Sequence, residues 1–261
     1  MKLSIGVVFL LLIFPGKVRA QQLDEFEKRE YRDGSGQVLN YRMLFPKGYD
    51  RKIRYPLVVF LHGAGERGND NEKQLTHGAS LFLSDKARTD YPAIVIFPQC
   101  PEDSYWSAVS IDRSKQPFDL TFDYSKPPTE PLRWVIELIQ NVQKNEAVDR
   151  RRIYLAGLSM GGMGTFEAVY RFPKIFAAAM PICGGGDAVA YSRRVKRVPF
   201  WVFHGDADAV VGVEESRTMV KRLKELGANV TYTEYPGVNH NSWDNAFAEP
   251  EFLKWMFEQR R

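Results

Sequence analysis

Cysteine is scarce in this chain: Cys100 and Cys183 are the only two in 261 residues. That excludes a disulfide-stapled scaffold, and a chain of this length needs no staple to hold a core. Each cysteine follows an apolar stretch, in Pro-Gln-Cys-Pro and Pro-Ile-Cys-Gly, so a bridge and two buried thiols are both compatible with the sequence. Histidine is rare as well, at four. None belongs to a His/Cys/Asp cluster with metal-ligand spacing, so neither a metal nor another cofactor is expected. Long apolar runs are missing too. The longest, over residues 3–14, holds about twelve residues where a membrane span needs about 20. Repeats and low-complexity stretches are absent, and with 44% hydrophobic and 26% charged residues, disorder, collagen and coiled coil are excluded.

The short apolar run has a different meaning. Lys2 precedes it, Pro15 and Gly16 break it, and Val18-Arg19-Ala20 closes it with small or modest side chains. This is the pattern of a secretory signal peptide cut after Ala20. Residues 1–20 carry three cations and no acid, so without them the net charge falls from +4 to +1. So small a charge gives no support for a nucleic-acid partner. A secreted or periplasmic protein is expected, with no membrane span in the mature chain and residues 21–261 forming one domain.

What is present is alternation. Short apolar runs bounded by Gly or Pro lie at 57–61, 93–98, 153–156, 177–182, 200–203 and 230–235 and predict strands. Residues 26–32 and 41–45 predict a leading hairpin. Amphipathic patterns over 130–144, 162–170, 214–226 and 250–257 predict helices. Strand–helix alternation means βαβ units and a mainly parallel sheet, hence an α/β fold. Residues 99–129 form a long connection without sustained periodicity, of the kind that often carries function. About 15 residues separate the strands ending near 182 and starting near 200, which leaves no room for a helical lid.

The chemistry concentrates at four places. Gly157-Leu158-Ser159-Met160-Gly161 joins a strand to a helix, and a serine on that sharp turn is lifted above the sheet edge. A serine hydroxyl is inert without a base, and the base needs an orienting acid. The order nucleophile, acid, base is met by Ser159, then His204-Gly205-Asp206-Ala207-Asp208, then His240. Asp208 is preferred over Asp206 because the carboxylate must travel a few residues beyond its strand, which leaves Asp206 to fix the loop. His204 reads as a strand-end packing residue. A developing oxyanion needs donors: the Met160 amide, and the Ala64 or alternatively the Gly65 amide in His62-Gly63-Ala64-Gly65. Trp106 and Trp243 are candidates for the acyl or leaving-group pocket, or for the core. Gly184-Gly185-Gly186-Asp187 lacks the lysine and helix entry of a phosphate loop.

Together these motifs resemble the α/β-hydrolase superfamily. Gly65-Glu66-Arg67-Gly68 with Gln74-Leu75 and His77-Gly78, Pro98-Gln99-Cys100-Pro101, Cys183 to Asp187, and His240-Asn241-Ser242-Trp243 resemble, more narrowly, exported phospholipase/carboxylesterase-type proteins. That group, also labelled predicted peptidases, is similar to feruloyl and acetyl-xylan esterases and polyester depolymerases. The resemblance spans about residues 40–261. It implies a mostly parallel sheet of about eight strands with helices on both faces, no separate lid domain, and a serine hydrolase acting on small or polysaccharide-linked esters. A peptidase of the same fold and a non-catalytic binding protein are the rival readings. One departure stands out: relatives often carry proline after the valine near the acid, where this chain has Val210-Val211-Gly212.

Overall fold

The computed structural model describes residues 23–261; the expected leader lies outside them. The chain opens with the antiparallel pair β1 (Glu27–Arg32) and β2 (Val38–Leu44). It continues with β3 (Tyr55–Leu61), two short helices α1 (Ala79–Leu83) and α2 (Asp85–Asp90), and β4 (Ile94–Pro98). A hairpin of β5 (Val109–Asp112) and β6 (Asp119–Phe122) follows, then α3 (Glu130–Asn145), β7 (Val148–Leu158), α4 (Met160–Arg171) and β8 (Ala178–Ile182). The last elements are β9 (Phe200–Gly205), α5 (Val213–Glu225), β10 (Val230–Tyr235), α6 (Trp243–Ala248) and α7 (Phe252–Glu258).

Eight strands form one sheet in the order β1-β2-β4-β3-β7-β8-β9-β10, parallel from β4 to β10. Strands buried on both faces need apolar residues on both, which is why β3, β4, β8 and β9 read as continuous apolar runs rather than alternations. Two layers of core result. On one face α3 seats Leu132, Val135, Leu138 and Ile139 against Leu57, Val59 and Leu155; on the other, Phe252 and Met256 of α7 pack with Phe203 and Met180. Thr129 caps α3 by accepting the Leu132 amide, and Pro131 sits in the first turn, where its missing N–H costs nothing.

Register aligns the C-terminal strand ends. Leu61 pairs with Gly157, Leu158 with Ile182, Ile182 with Phe203, and Gly205 with Tyr235. The loops leaving β3, β7, β8, β9 and β10 therefore emerge along one edge of the sheet, the place where open α/β sheets hold ligands.

Residues 99–129 depart from the sequence expectation. They contain β5 and β6, a separate antiparallel ladder running from Val109↔Phe122 to Asp112↔Asp119. Four-residue strands give too few alternations to register as a period. The hairpin is fastened at its base to α4 through the fully buried Glu167. One carboxylate oxygen accepts the Ser107 hydroxyl and the Ala108 amide at 2.7 Å each, and the other takes Arg171 Nε at 2.7 Å. Near its turn, the Phe118 amide donates to Val210 O at 3.0 Å. Between β8 and β9 the only helical piece is a 3-10 turn, Arg193–Arg197.

Candidate active site

β7 ends at Leu158 and α4 begins at Met160, so the single residue between them, Ser159, must reverse the chain. It does so at φ 53°, a left-handed conformation that costs a side-chain-bearing residue energy and persists only when packing enforces it. The enforcing contact is Gly161. A Cβ there would lie 1.9 Å from Leu61 O, so only glycine lets the first turn of α4 rest on the end of β3.

Ser159 Oγ lies 2.9 Å from His240 Nε2, and His240 Nδ1 lies 2.8 Å from Asp208 Oδ2. With Nδ1–H donating to the carboxylate, Nε2 is left bare toward the hydroxyl, the tautomer a base requires. Asp208 is buried, and its Oδ1 accepts the amides of Val210 and Val211 at 2.8 and 2.9 Å. Burial opposes its charge, but these donors, led by the two histidines, hold its carboxyl well below the usual range. The Val210-Val211-Gly212 departure thus leaves the acid loop intact. Gly212 packs on Pro117 of the hairpin, and the two amides needed by Asp208 come from the residues before it. Asp206, exposed, instead accepts the Gly237 amide at 2.6 Å. Asn239 Oδ1 takes both the Ala209 and His240 amides and so ties the acid loop to the base loop.

His204 does more than pack. Fully buried, its Nε2 lies 3.2 Å from Asp208 Oδ2 and 2.9 Å from Val211 O, and its Nδ1 meets Ser216 Oγ at 2.7 Å. It is a second imidazole on the same carboxylate, which the spacing His204-Gly-Asp-Ala-Asp208 at a strand end carries but does not announce.

The donor loop is equally specified. His62 Nε2 accepts the Cys100 amide at 2.9 Å, so the ring hydrogen is on Nδ1, which donates to Gly63 O at 2.6 Å. A trans peptide points its N–H opposite its carbonyl, so fixing Gly63 O also fixes the direction of the Ala64 N–H. The Met160 amide opens α4, where the first-turn N–H groups have no helical partner. Burial lowers the His62 pKa to about 4, and the folded ring is neutral. The unfolded chain takes up that proton near pH 6.5, so the fold gains stability above this pH and loses it as pH falls toward 4. We expect this ring to cost about 2 kcal/mol of stability between pH 7 and pH 5. Urea unfolding at both pH values should show a shallower pH slope for His62→Asn than for wild type; equal slopes would refute the assignment.

Trp106, a candidate for the pocket wall, is corrected by the structure. It is fully buried, donates its indole N–H to His62 O at 3.1 Å and fills the space over Gly164, so it braces the donor loop from within the core. Trp243 is half-buried and lies edge-on to His240, with ring centres 5.4 Å apart. Both cysteines are free, buried thiols whose burial pushes their pKa up. Cys183 Sγ, an Asp208 oxygen and a His240 nitrogen lie within 4.8 Å of one another, the one potential metal-holding group among the described residues. The carboxylate and imidazole of that group are already joined to each other by a hydrogen bond. No helix among the described residues is long and apolar enough to cross a membrane.

The chain matches a family model described as phospholipase/carboxylesterase over residues 50–254. A crystal structure titled as a thermostable esterase superposes with a TM-score of 0.83 at 41% identity, covering 92% of this chain and 64% of that one. A bifunctional acetylxylan esterase/xylanase from Neocallimastix patriciarum is 31% identical over 97 residues, 37% of this chain and 14% of that protein. Carboxylesterase SOBER1 from Arabidopsis thaliana is 26% identical over 201 residues, 70% of this chain and 82% of that one.

Proposed function

Since the chain belongs to the phospholipase/carboxylesterase family of the α/β-hydrolase fold, we propose that it hydrolyses carboxylic esters through an acyl-enzyme on Ser159. The observation that carries this reading is the unbroken hydrogen-bond chain from Ser159 through His240 to Asp208. Ser159 Oγ attacks the ester carbonyl as His240 Nε2 takes its proton, and Asp208 stabilises the imidazolium that forms. The carbonyl oxygen, now anionic, is met by the Met160 and Ala64 amides, each such donor being worth about 2.7–4 kcal/mol in the transition state. The intermediate collapses, His240 hands its proton to the leaving alcohol, and the alcohol departs. Water then repeats the sequence on the acyl-enzyme and frees the acid.

The substrate class we assign is a small acyl group on a carbohydrate or other small alcohol. The strap formed by β5 and β6, fastened to both α4 and the acid loop, supports a site walled by a hairpin instead of a helical lid. Export through the leader over residues 1–20 completes the reading and places the reaction outside the cytoplasm.

Protein comprising residues 21–261 should turn over p-nitrophenyl acetate and butyrate and take one equivalent of a labelled fluorophosphonate on Ser159, located by peptide mass spectrometry. Folded protein that neither turns over ester nor accepts label would overturn the proposal.

A further inference from the structure

Two motifs remain unused by the chemistry above: Glu66 in Gly65-Glu66-Arg67-Gly68, and His77. The fold brings them together beside the nucleophile. Glu66 closes the 3-10 turn Ala64–Glu66, and its carboxylate folds back over Gly63. A methyl group placed on Gly63 would lie 3.0 Å from Glu66 Oε2 and 3.7 Å from Ser159 Cβ, so carboxylate and nucleophile flank the same glycine. The Glu66 side chain is only 14% exposed, yet no hydrogen-bond donor among the described residues reaches it. The nearest cation-forming group is His77 Nε2, 3.8 Å from Oε1 and outside hydrogen-bond distance. His77 in turn packs on Trp243, with ring centres 5.1 Å apart, and Trp243 packs on His240. Glu66, His77, Trp243 and His240 therefore form one continuous wall.

The reaction assigns that wall a side. A departing alcohol must bring its oxygen to His240 Nε2 to be protonated, so its carbon skeleton lies along the groups packed beyond His240. Those groups are the rings of Trp243 and His77 and a largely buried carboxylate with acceptor capacity and no donor among the described residues. A carboxylate that keeps only a little solvent exposure and binds no donor of the described residues is open to a ligand hydroxyl, and a hydrogen bond to its charge is among the stronger ones. Aromatic rings suit the C–H surface of a polyol, whereas the carboxylate opposes anionic alcohols. Resting on the ester-hydrolase reading, we propose that Glu66, with His77 and Trp243, forms a leaving-group subsite selecting hydroxylated alcohols of the glycerol or sugar type. A hydroxyl next to the scissile ester donates to the Glu66 carboxylate.

The test holds the acyl group constant. Glycerol 1-acetate and ethyl acetate are compared by kcat/KM in wild type, Glu66→Gln and Glu66→Leu, with fluorophosphonate labelling of Ser159 as a check that the site is assembled. Wild type should prefer the glycerol ester by roughly ten- to hundredfold, the worth of one hydrogen bond to a charged group. Glu66→Leu should remove most of that preference, and Glu66→Gln, whose amide oxygen still accepts, should retain part of it. A preference unchanged in Glu66→Leu overturns the subsite. So does an equal fall for both esters with slowed labelling, which would mark Glu66 as a support of the donor loop. Wild type that labels and cleaves both esters without preference refutes the subsite alone. Wild type that neither labels nor cleaves refutes the hydrolase reading, and the subsite with it.

Discussion

Ser159→Ala should leave a folded protein whose kcat on p-nitrophenyl acetate is lower by about 10⁴- to 10⁶-fold. Stability should hardly change, because alanine meets the same left-handed backbone requirement as serine and the lost hydroxyl bonds only His240 Nε2. That nitrogen belongs to a ring with 19% of its side chain exposed, so water can replace the missing partner. The residual rate reflects binding and the oxyanion donors, which survive the substitution. Adding His240→Ala to Ser159→Ala should therefore slow the reaction little further, since base and nucleophile act as one unit. Steady-state kinetics beside a thermal melt decide the matter. A variant keeping a tenth of wild-type turnover would sink the nucleophile assignment.

Asp208→Asn should cost about 10⁴-fold in kcat, by a different route. The carboxylate is an acceptor on every side: His240 Nδ1 and His204 Nε2 face one oxygen, and two amides face the other. An amide NH₂ in place of Oδ2 opposes both imidazoles. His240 then relieves the clash by moving its hydrogen to Nε2, where it faces Ser159 and can no longer accept a proton. The charge removed is one that the fold holds ionised well below the usual carboxylate range. Its contribution to stability is thus fully present above about pH 4 and is lost progressively as the pH falls from there through the folded pKa. Asp206→Asn is the control, since that exposed residue holds only the Gly237 amide and should change kcat by less than about threefold. A reversal of the two effects would move the acid to Asp206.

Much of this arrangement was legible in the residues. Ser159, Asp208 and His240 could be picked from their order along the chain and from the strand ends preceding each, because parallel strands deliver their C-terminal loops to one edge. Buried strands with continuous apolar runs were equally readable. Exposed or short elements were not: β5 and β6 alternate over only four residues each, and α1 and α2 are too short to show a helical face. Trp106 illustrates a second limit. An indole can line a pocket or fill a core with the same residue type, and what decides here is the donor loop's need for a brace on His62 O. His204 and Glu66 illustrate a third. Their placement depends on which carboxylate or glycine lies across a loop, a through-space fact with no signature in local spacing.

The strand order has a further outcome. β10, which leads into His240, is an edge strand, bonded to β9 alone, and five of its six residues are half-buried and the sixth exposed, where β3, β4, β8 and β9 are buried throughout. Loosening such a margin costs far less than melting the interior of the ladder. Warming should therefore withdraw His240 from Ser159 while the rest of the sheet is still intact. Heat inactivation and denaturation become separate events, with a switched-off yet folded form between them that regains its catalytic arrangement on cooling.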